Sequence, residues 1–204
     1  MDLKKTYNHI AEDWYQDHKD DDWSFEGARK FTSLLPPGGN VLDVGCGPGI
    51  KTKLFVEQGF HATGVDFSEK MVDIAKREVP GGTFLVLDVK ELDALDGMFD
   101  GIFMQAVLLH VHKNEAMDIL RQTATKLKPG GYVYVAVKEQ QPGMPAEEMR
   151  REDDYGYSYE RFFSYYTVDE IKDYMHVAGF EEVSFDITPI GKTRWLQVIG
   201  KKPS

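Results

Sequence analysis

Three glycines at alternate positions follow a short apolar run near residue 41. Residues Val41 to Gly49 read VLDVGCGPG, and a helical pattern begins directly after them. Glycine lets a ligand approach the backbone closely, and open α/β sheets bind ligands at the carboxyl ends of their strands. The segment therefore predicts a ligand-binding turn between a strand and a helix. A tight turn that binds no ligand is the alternative.

Two carboxylates follow the next two apolar runs. Asp66 ends the second run, about twenty residues after the glycine turn, where an acidic side chain can accept the hydroxyl hydrogens of a ribose. Helix capping is the alternative role for Asp66, but Ser68 can already cap the helix that follows. Asp88 closes a third run, Thr83 to Val89, where it could accept from an adenine amino group or simply begin a loop.

Two histidines follow the fourth apolar run. An imidazole at this place could remove a proton at neutral pH, which makes His110 a candidate general base. The alternative is that His110 or His112 is a solvated residue or the entry of a helix.

A stretch rich in tyrosine and phenylalanine occupies residues 155–166. Tyrosine presents a broad apolar face and a polar tip, a combination suited to wrapping a small substrate, although part of this set must simply pack against the sheet. A carboxylate just beyond the fifth apolar run could orient a cationic or hydroxylated group, or it could be a surface residue. The candidates for substrate contact are Glu139, Tyr157, Tyr159 and Arg161.

Short apolar runs and helical patterns alternate along the chain, and these elements must hold the candidate residues in place. The runs are Val41 to Val44, Ala62 to Val65, Thr83 to Val89, Gly101 to Met104 and Tyr132 to Val137. This alternation predicts a doubly wound α/β fold with a mostly parallel sheet. Two later runs, Val183 to Ile187 and Arg194 to Ile199, predict a closing antiparallel hairpin and a total of seven strands.

Two segments lie outside this alternation. Residues 1–36 contain two helical patterns, one carrying Tyr7 and Trp14 and the other Trp23 and Phe31, which predict an amino-terminal helical cover. Residues 139–163 fit neither periodicity, and a long loop of this kind is usually functional or mobile, so we interpret it as a lid. We expect residues 1–204 to form a single domain.

The composition excludes several classes of function. Cys46 is the only cysteine, which rules out an intrachain disulfide and a zinc site of several thiolates, and we expect no metal. The net charge of -10 makes nucleic acid a poor substrate. No apolar run approaches the ~20 residues that cross a membrane, and the amino terminus resembles no signal segment, so we expect a cytoplasmic protein without membrane association. The oligomeric state stays open.

From about Tyr7 to Val137 the chain resembles the class I, S-adenosyl-L-methionine-dependent methyltransferases. The segment from Asp43 to Gly49 is similar to their first motif, Asp-x-Gly-x-Gly-x-Gly. Further agreement lies in Gly64 to Ser68, Phe99 to Gln105 and Leu127 to Gly131, which resemble the ribose-binding strand, the fourth strand and the turn into the fifth. The helix carrying Tyr7 and Trp14 is similar to the one that closes over the cofactor in many small-molecule members.

The resemblance implies S-adenosyl-L-methionine as the cofactor and methyl transfer by in-line displacement to a small-molecule acceptor. A short chain without an added recognition domain favours a small acceptor, and a protein acceptor is the alternative. The sequence does not distinguish N, O, S or C as the atom that is methylated. The cofactor-binding residues that the resemblance implies are Tyr7, Trp14, Asp43, Gly45, Gly47, Gly49, Asp66, Phe67, Asp88, Val89 and Gln105.

Two other readings compete with a methyltransferase. An NAD-dependent oxidoreductase shares the sheet and the glycine turn, but its fingerprint would place Gly or Ala where this chain has Ile50. A non-catalytic domain that binds S-adenosylmethionine or a protein partner would keep the same glycines, so only turnover separates it from an enzyme.

Overall fold

Alternating helices and strands build the protein, and the computed structural model describes residues 2–21 and 25–204. Trp23, which belongs to the second helical pattern of the sequence, lies outside the described residues. The helices are α1 (Leu3–His18), α2 (Phe25–Thr32), α3 (Ile50–Glu57), α4 (Glu69–Glu78), α5 (Lys113–Lys126) and α6 (Val168–Val177). The strands are β1 (Asn40–Val44), β2 (His61–Asp66), β3 (Thr83–Val86), β4 (Phe99–Gln105), β5 (Leu127–Lys138), β6 (Glu147–Glu152), β7 (Tyr159–Ser164), β8 (Glu181–Ile190) and β9 (Thr193–Lys201).

Within the described residues, seven strands form one sheet in the order β3-β2-β1-β4-β5-β9-β8. The pairs from β3 to β5 are parallel, whereas β9 runs antiparallel to both β5 and β8. The predicted fold, a doubly wound and mostly parallel sheet with an antiparallel carboxyl-terminal hairpin, is confirmed. Because parallel strands end at one edge, the last residues of β1, β2, β4 and β5 meet there.

Neighbouring residues on each strand face opposite layers of helices. On β4, Met104 packs into a core that includes Ile119 of α5 and Ile171 of α6. Phe103 packs on the other face with Phe31 of α2. Side chains alternate across a strand, so central strands buried on both faces need continuous apolar runs, as the sequence shows.

The third strand is shorter than the sequence indicates. It ends at Val86, which pairs with Asp66, the last residue of β2, and the last bond to β2 is the one from the N–H of Leu87 to the carbonyl of Asp66 at 2.9 Å. The chain then turns into a short 3-10 helix, Val89–Ala94. Asp88 begins this helix and accepts a hydrogen bond from the backbone N–H of Lys90 at 3.0 Å. The prediction of a strand reaching Val89 was therefore wrong.

The segment 139–163 contains regular structure that the sequence pattern did not reveal. Strands β6 and β7 form a separate antiparallel hairpin, in which Glu148 pairs with Phe163 and Glu152 with Tyr159. The polar composition of β6 hides the alternation, because the side chains of that strand lie at or near the surface while β7 buries Tyr159 and Phe163. The expectation of a structureless segment was wrong.

Helix α1 lies against α4 and the β6–β7 hairpin. Ala11 of α1 is buried beside Met71 and Ile74 of α4. Helix α2 belongs to a core on one face of the sheet through Ala28 and Phe31, so it supports the sheet rather than covering its edge. Across the described part of the chain, no helix combines the length and apolar character needed to cross a membrane.

Candidate active site

A cavity of about 730 Å³ opens at the carboxyl edge of the parallel strands, beneath α1 and beside β7. Its described lining includes most of the residues selected from the sequence: Tyr7, Trp14, Asp43, Gly45, Gly47, Asp66, Phe67, Asp88, Val89, Gln105, His110 and Arg161. That lining does not include Gly49, Glu139, Tyr157 or Tyr159. The volume falls within the roughly 300–1,000 Å³ typical of small-molecule sites.

The glycine turn between β1 and α3 needs its glycines for two different reasons. Gly45 and Gly47 have φ angles of +64° and +52°, a region that side chains rarely adopt. A Cβ atom on Gly45 would come within 2.6 Å of Val107, whereas the space beside Gly47 is open. Gly49 begins α3, and a Cβ there would lie 3.2 Å from Ala75. Gly49 therefore permits close packing of α3 against α4 and lies outside the described cavity lining.

Asp66 ends β2 as a buried carboxylate facing the cavity. Its two oxygens accept hydrogen bonds from the backbone N–H groups of Gly47 and Ser68, each at 2.9 Å. Burial raises the pKa of Asp66 to about 6. An ionised carboxylate has about four acceptor positions, so it can still accept from two hydroxyl groups of a ligand. Ser68 caps α4 by accepting from the N–H of Met71, as predicted.

Asp43 ties the glycine turn to the start of α3. The hydroxyl of Thr52 donates a hydrogen bond of 2.6 Å to its carboxylate. Burial raises the pKa of Asp43 to about 7, and the charge of Asp66 adds to this rise. Asp43 of the first motif and Asp66 at the end of β2 therefore place two buried carboxylates on one cavity wall.

Gln105, the last residue of β4, has a buried side-chain oxygen that no donor among the described residues satisfies. A buried amide oxygen without a donor costs roughly 1–3 kcal/mol, so its presence in a cavity wall points to a donor on a bound ligand. The next residue, Ala106, has a φ of +59° and donates its N–H to the carbonyl of Ala136 at 3.0 Å. Left-handed conformations at non-glycine residues concentrate at functional sites.

A hydrogen-bonded pair connects α1 with the floor of the cavity. The hydroxyl of Tyr7 lies 2.7 Å from Nε2 of His110, and Nδ1 of His110 lies 2.7 Å from the carbonyl of Phe162. Because a carbonyl only accepts, Nδ1 carries the proton and Nε2 accepts from Tyr7. Burial lowers the pKa of His110 to about 3, so the ring is neutral. Both ring nitrogens of His110 are therefore engaged in hydrogen bonds, and Tyr7 lies between the ring and any ligand that Nε2 could contact.

Aromatic side chains frame the end of the cavity near β2 and β3. Trp14 stacks on His18, with ring centroids 4.1 Å apart, and packs against the cluster of Ala11. Phe67 meets the ring of Tyr7 edge to face at 5.7 Å. These contacts fix α1 above the strand ends, and the four rings line the same cavity as Asp88 and Val89.

Three of the four substrate candidates have partners away from the cavity. Glu139 pairs with Arg194 at 2.8 Å. The hydroxyls of Tyr157 and Tyr159 donate to Asp13 and Asp154 at 2.5 and 2.9 Å. The structure therefore engages these three side chains in ion pairing and hairpin packing and does not bring them into the described cavity lining.

Arg161 is the substrate candidate that does line the cavity. Its guanidinium binds Glu152 through two nitrogens, at 2.5 and 2.8 Å, and approaches the hydroxyl of Tyr7 at 3.4 Å. Charge compensation by Glu152 makes Arg161 a structural link between β6, β7 and α1.

Comparison with known proteins identifies the family to which the chain belongs. A family model described as "Methyltransferase domain" matches residues 15–184. The chain belongs to this methyltransferase family. The predicted class I methyltransferase membership is confirmed, and the comparisons give no support to an NAD-dependent oxidoreductase or a non-catalytic binding domain.

Similar proteins include enzymes that methylate different acceptors. A phosphoethanolamine N-methyltransferase of Triticum aestivum is 32% identical over 165 residues, which are 78% of this chain and 31% of that protein. A ubiquinone biosynthesis O-methyltransferase of Coxiella burnetii is 28% identical over 145 residues, 63% of this chain and 58% of that protein. The methyltransferase chain thus spans about a third of the wheat relative and little more than half of the Coxiella one.

A solved structure supports the fold over nearly the whole methyltransferase chain. The 1,6-didemethyltoxoflavin-N1-methyltransferase of Burkholderia thailandensis, solved with 1,6-didemethyltoxoflavin and S-adenosylhomocysteine bound, superposes with a TM-score of 0.77. The match covers 99% of this chain and 88% of that one, at 23% identity.

Sequence reasoning missed one side of the methyltransferase cavity, which Lys138, Phe163 and Trp195 line. Lys138 is the last residue of β5, so the rule that placed Asp66 and Gln105 at strand ends could have found it. We instead selected its neighbour Glu139, whose side chain turns to Arg194. No group of three or more His, Cys, Asp or Glu side chains suited to a metal occurs among the described residues.

Proposed function

We propose that this methyltransferase domain transfers a methyl group from S-adenosyl-L-methionine to a small-molecule acceptor bound in the same cavity. One observation carries the proposal: the buried carboxylate of Asp66 and the unsatisfied oxygen of Gln105 face one cavity beside the left-handed Gly45–Gly47 turn. The oxygen of Gln105 lacks a donor and the carboxylate of Asp66 has acceptor positions left open, which suits a ligand rich in hydroxyl and amino groups, and S-adenosylmethionine carries both.

Each part of the cofactor has fitting residues. Asp66 would accept from the ribose hydroxyls, and Asp88 and Val89 would lie at the adenine. The glycine turn and Gln105 would hold the methionine part. The bound cofactor supplies a methyl group on a sulfonium, activated for in-line displacement.

The side chains above the strand edge would align the acceptor and exclude water. The hydroxyl hydrogen of Tyr7 is directed at Nε2 of His110, and the phenol oxygen accepts from Arg161 at 3.4 Å, which leaves one lone pair to accept from an N–H or O–H of the acceptor. We assign Tyr7 as the contact residue and His110 as its positioning residue. Because methyl transfer depends on alignment and on a dry site, the closure of α1 and the β6–β7 hairpin over the cavity supports a lid role for this hairpin.

A cavity of about 730 Å³ supports a small organic acceptor. Similar proteins include both N- and O-methyltransferases, so either atom fits the fold. We further propose that the substrate is not a nucleic acid, because the net charge of -10 opposes binding to phosphate backbones, and that the domain acts in the cytoplasm.

Isothermal titration of S-adenosylmethionine, S-adenosylhomocysteine and NAD tests the cofactor site. Binding of the first two without NAD is expected, and a screen of amine, phenol and carboxylate acceptors with labelled cofactor should then yield a methylated product. Binding of NAD alone would overturn the proposal. Cofactor binding with no product across acceptor classes would favour a non-catalytic domain.

A further inference from the structure

Charged groups are divided unevenly along the cavity. The carboxylates of Asp43, Asp66 and Asp88 follow β1, β2 and β3, on one side of β4. Lys138 lies at the end of β5, on the other side of β4, and Arg161 lies beside it on β7. The proposed cofactor residues occupy the first side, which leaves the side of β5 for the acceptor.

Lys138 differs from Arg161, Lys4 and Lys90 of this cavity in forming no ion pair within the described residues. Arg161 is compensated by Glu152, and Lys4 and Lys90 are paired with Glu69 and Glu115. Over the described residues, the ammonium of Lys138 has neither a hydrogen-bond acceptor nor an ion pair. Its recorded contacts are aromatic: the ring centroid of Phe163 lies at 4.5 Å and that of Trp195 at 5.8 Å.

The backbone holds Lys138 firmly at the cavity edge. The residue pairs with Trp195 in the β5–β9 register, and its carbonyl accepts from the N–H of Tyr166 at 3.0 Å. Burial and the nearby charge of Arg161 lower the pKa of Lys138 to about 8, so most molecules carry the ammonium at neutral pH. Arg150 adds to the positive charge near this ammonium, and Glu152, which is ion-paired with Arg161, offsets only part of it. A partly buried ammonium without an ion pair of its own is unfavourable, and the faces of two rings offset only part of that cost.

We propose that Lys138 binds an anionic group of the methyl acceptor, a carboxylate or a phosphate, while Phe163 and Trp195 pack against its apolar part. The inference rests on the proposed function and adds the acceptor class to it. An anion at this position would satisfy the ammonium and would fix the acceptor on the β5 side of the cavity. Charge-assisted hydrogen bonds are short and directional, so the same contact would orient the atom to be methylated.

Calorimetric titration of the S-adenosylhomocysteine-saturated protein with inorganic phosphate and with benzoate tests this assignment. Lys138→Met and Lys138→Gln should weaken binding of at least one anion about tenfold or more, and Lys138→Arg should retain most of it, because the charge is kept. Lys201→Met is the matched control. Lys201 ends β9 beside the ring of Tyr132 at 5.8 Å and is not part of the described cavity lining, so its loss should leave anion binding unchanged.

The affinity for S-adenosylhomocysteine, measured first, separates the two proposals and checks that each variant is folded. No binding of this ligand to the unmodified protein would overturn the proposed function, and with it the acceptor assignment. Normal cofactor binding with no anion binding, or with equal anion affinity in Lys138→Met, would overturn the acceptor assignment alone.

Discussion

Asp66 shows how one buried side chain can combine recognition with pH dependence. Its pKa is raised to about 6, and hydrogen bonds from ligand hydroxyls are stronger to the ionised than to the protonated carboxyl group. We therefore expect the affinity for S-adenosylhomocysteine to be steady above pH 7. Below pH 6 it should fall, by up to about tenfold per pH unit. Calorimetry between pH 8 and pH 5 measures this change.

Two variants make this experiment specific to Asp66. Asp66→Ala should bind more weakly at pH 8 and should lose most of the pH dependence. Asp186→Ala removes a surface carboxylate that pairs with Lys30, and it should behave as the parent does. A pH profile that survives in Asp66→Ala would show that another group, such as Asp43, controls binding.

The sequence predicted the cofactor half of the candidate site better than the acceptor half, and the reason is visible in individual residues. Gly45, Gly47 and Asp66 lie at strand ends defined by local patterns, so their meeting at one edge follows from the fold. Whether Lys138 or Glu139 faces the cavity depends instead on tertiary contacts, namely the bond from Tyr166 to the Lys138 carbonyl and the ion pair of Glu139. No local pattern encodes these contacts.

At the scale of elements, polar contacts hold α1 over the cavity, and the partly buried bond from Tyr7 to His110 is the one that reaches the segment after β4. A net hydrogen bond contributes about 0.5–1.5 kcal/mol, which corresponds to a change of roughly 2- to 10-fold in a rate or equilibrium constant. Tyr7→Phe should therefore accelerate dissociation of S-adenosylhomocysteine by this factor, as measured by stopped flow.

A matched substitution tests whether the effect belongs to α1. The hydroxyl of Tyr174 on α6 lies 3.5 Å from the carbonyl of Lys113, away from the cavity, and Tyr174→Phe should leave the dissociation rate unchanged. Hydrogen exchange should show reduced protection of α1 in Tyr7→Phe. Unchanged dissociation and protection would mean that the apolar packing of α1 on α4 and the polar contacts of Asn8, Glu12 and Asp13 keep the cavity closed without this bond.

Helix α2 contains a glycine that packing requires. A Cβ atom on Gly27 would come within 2.4 Å of the Gln197 side-chain oxygen and 2.7 Å of the Tyr134 hydroxyl, two groups that hydrogen-bond to each other. Gly-to-Ala replacements in helices usually stabilise by up to about 1 kcal/mol. Here overpacking should reverse the sign, so Gly27→Ala should lower the free energy of unfolding by about 1–3 kcal/mol.

Urea denaturation measures this effect, with Glu26→Ala as the neighbouring control on the exposed side of α2. Glu26→Ala should change the free energy of unfolding by less than about 0.5 kcal/mol. A stabilised Gly27→Ala would indicate that Gln197 and Tyr134 can move apart without cost.

The elements also show where sequence patterns stop being informative. Central strands such as β4 are buried on both faces, and their continuous apolar runs identify them. The end of β3 depends on where its partner β2 stops, since Val86 pairs with Asp66. The hairpin of β6 and β7 covers the site with one face only, so β6 can be polar. The alternation of buried and exposed side chains appears in β7 instead, where Tyr159 and Phe163 are buried.

For the whole molecule, the order of the strands in the sheet determines where the charged side chains of the cavity lie. Carboxylates at the ends of β1 and β2 lie on one side of β4, and the unpaired lysine of β5 lies on the other. The proposed cofactor and an anionic acceptor can therefore bind side by side in one cavity, with the end of β4 and Gln105 between them. The buried charges that make this possible oppose folding, which links stability to the site.

The free energy of unfolding without ligand should accordingly rise as the pH falls from 7 to 5.5. The pKa values of Asp43 and Asp66 are about 7 and 6 in the folded protein against an ordinary 3.8, so the folded state binds these protons first and gains stability on acidification. His110 acts in the opposite direction, since its pKa of about 3 lies below the ordinary 6.5. The stabilisation from the two aspartates exceeds the destabilisation from His110, so the free energy of unfolding should rise by about 1 kcal/mol.

Urea denaturation at the two pH values measures the gain. Asp43→Asn removes the group with the higher pKa, which leaves Asp66 and His110 to oppose each other, so the gain should vanish in this variant. Saturating S-adenosylhomocysteine should also reduce it, because the ligand favours the ionised form of Asp66. A parent protein that loses stability over this range would show that these carboxylates are hydrated rather than buried, and the cavity would then be open to water.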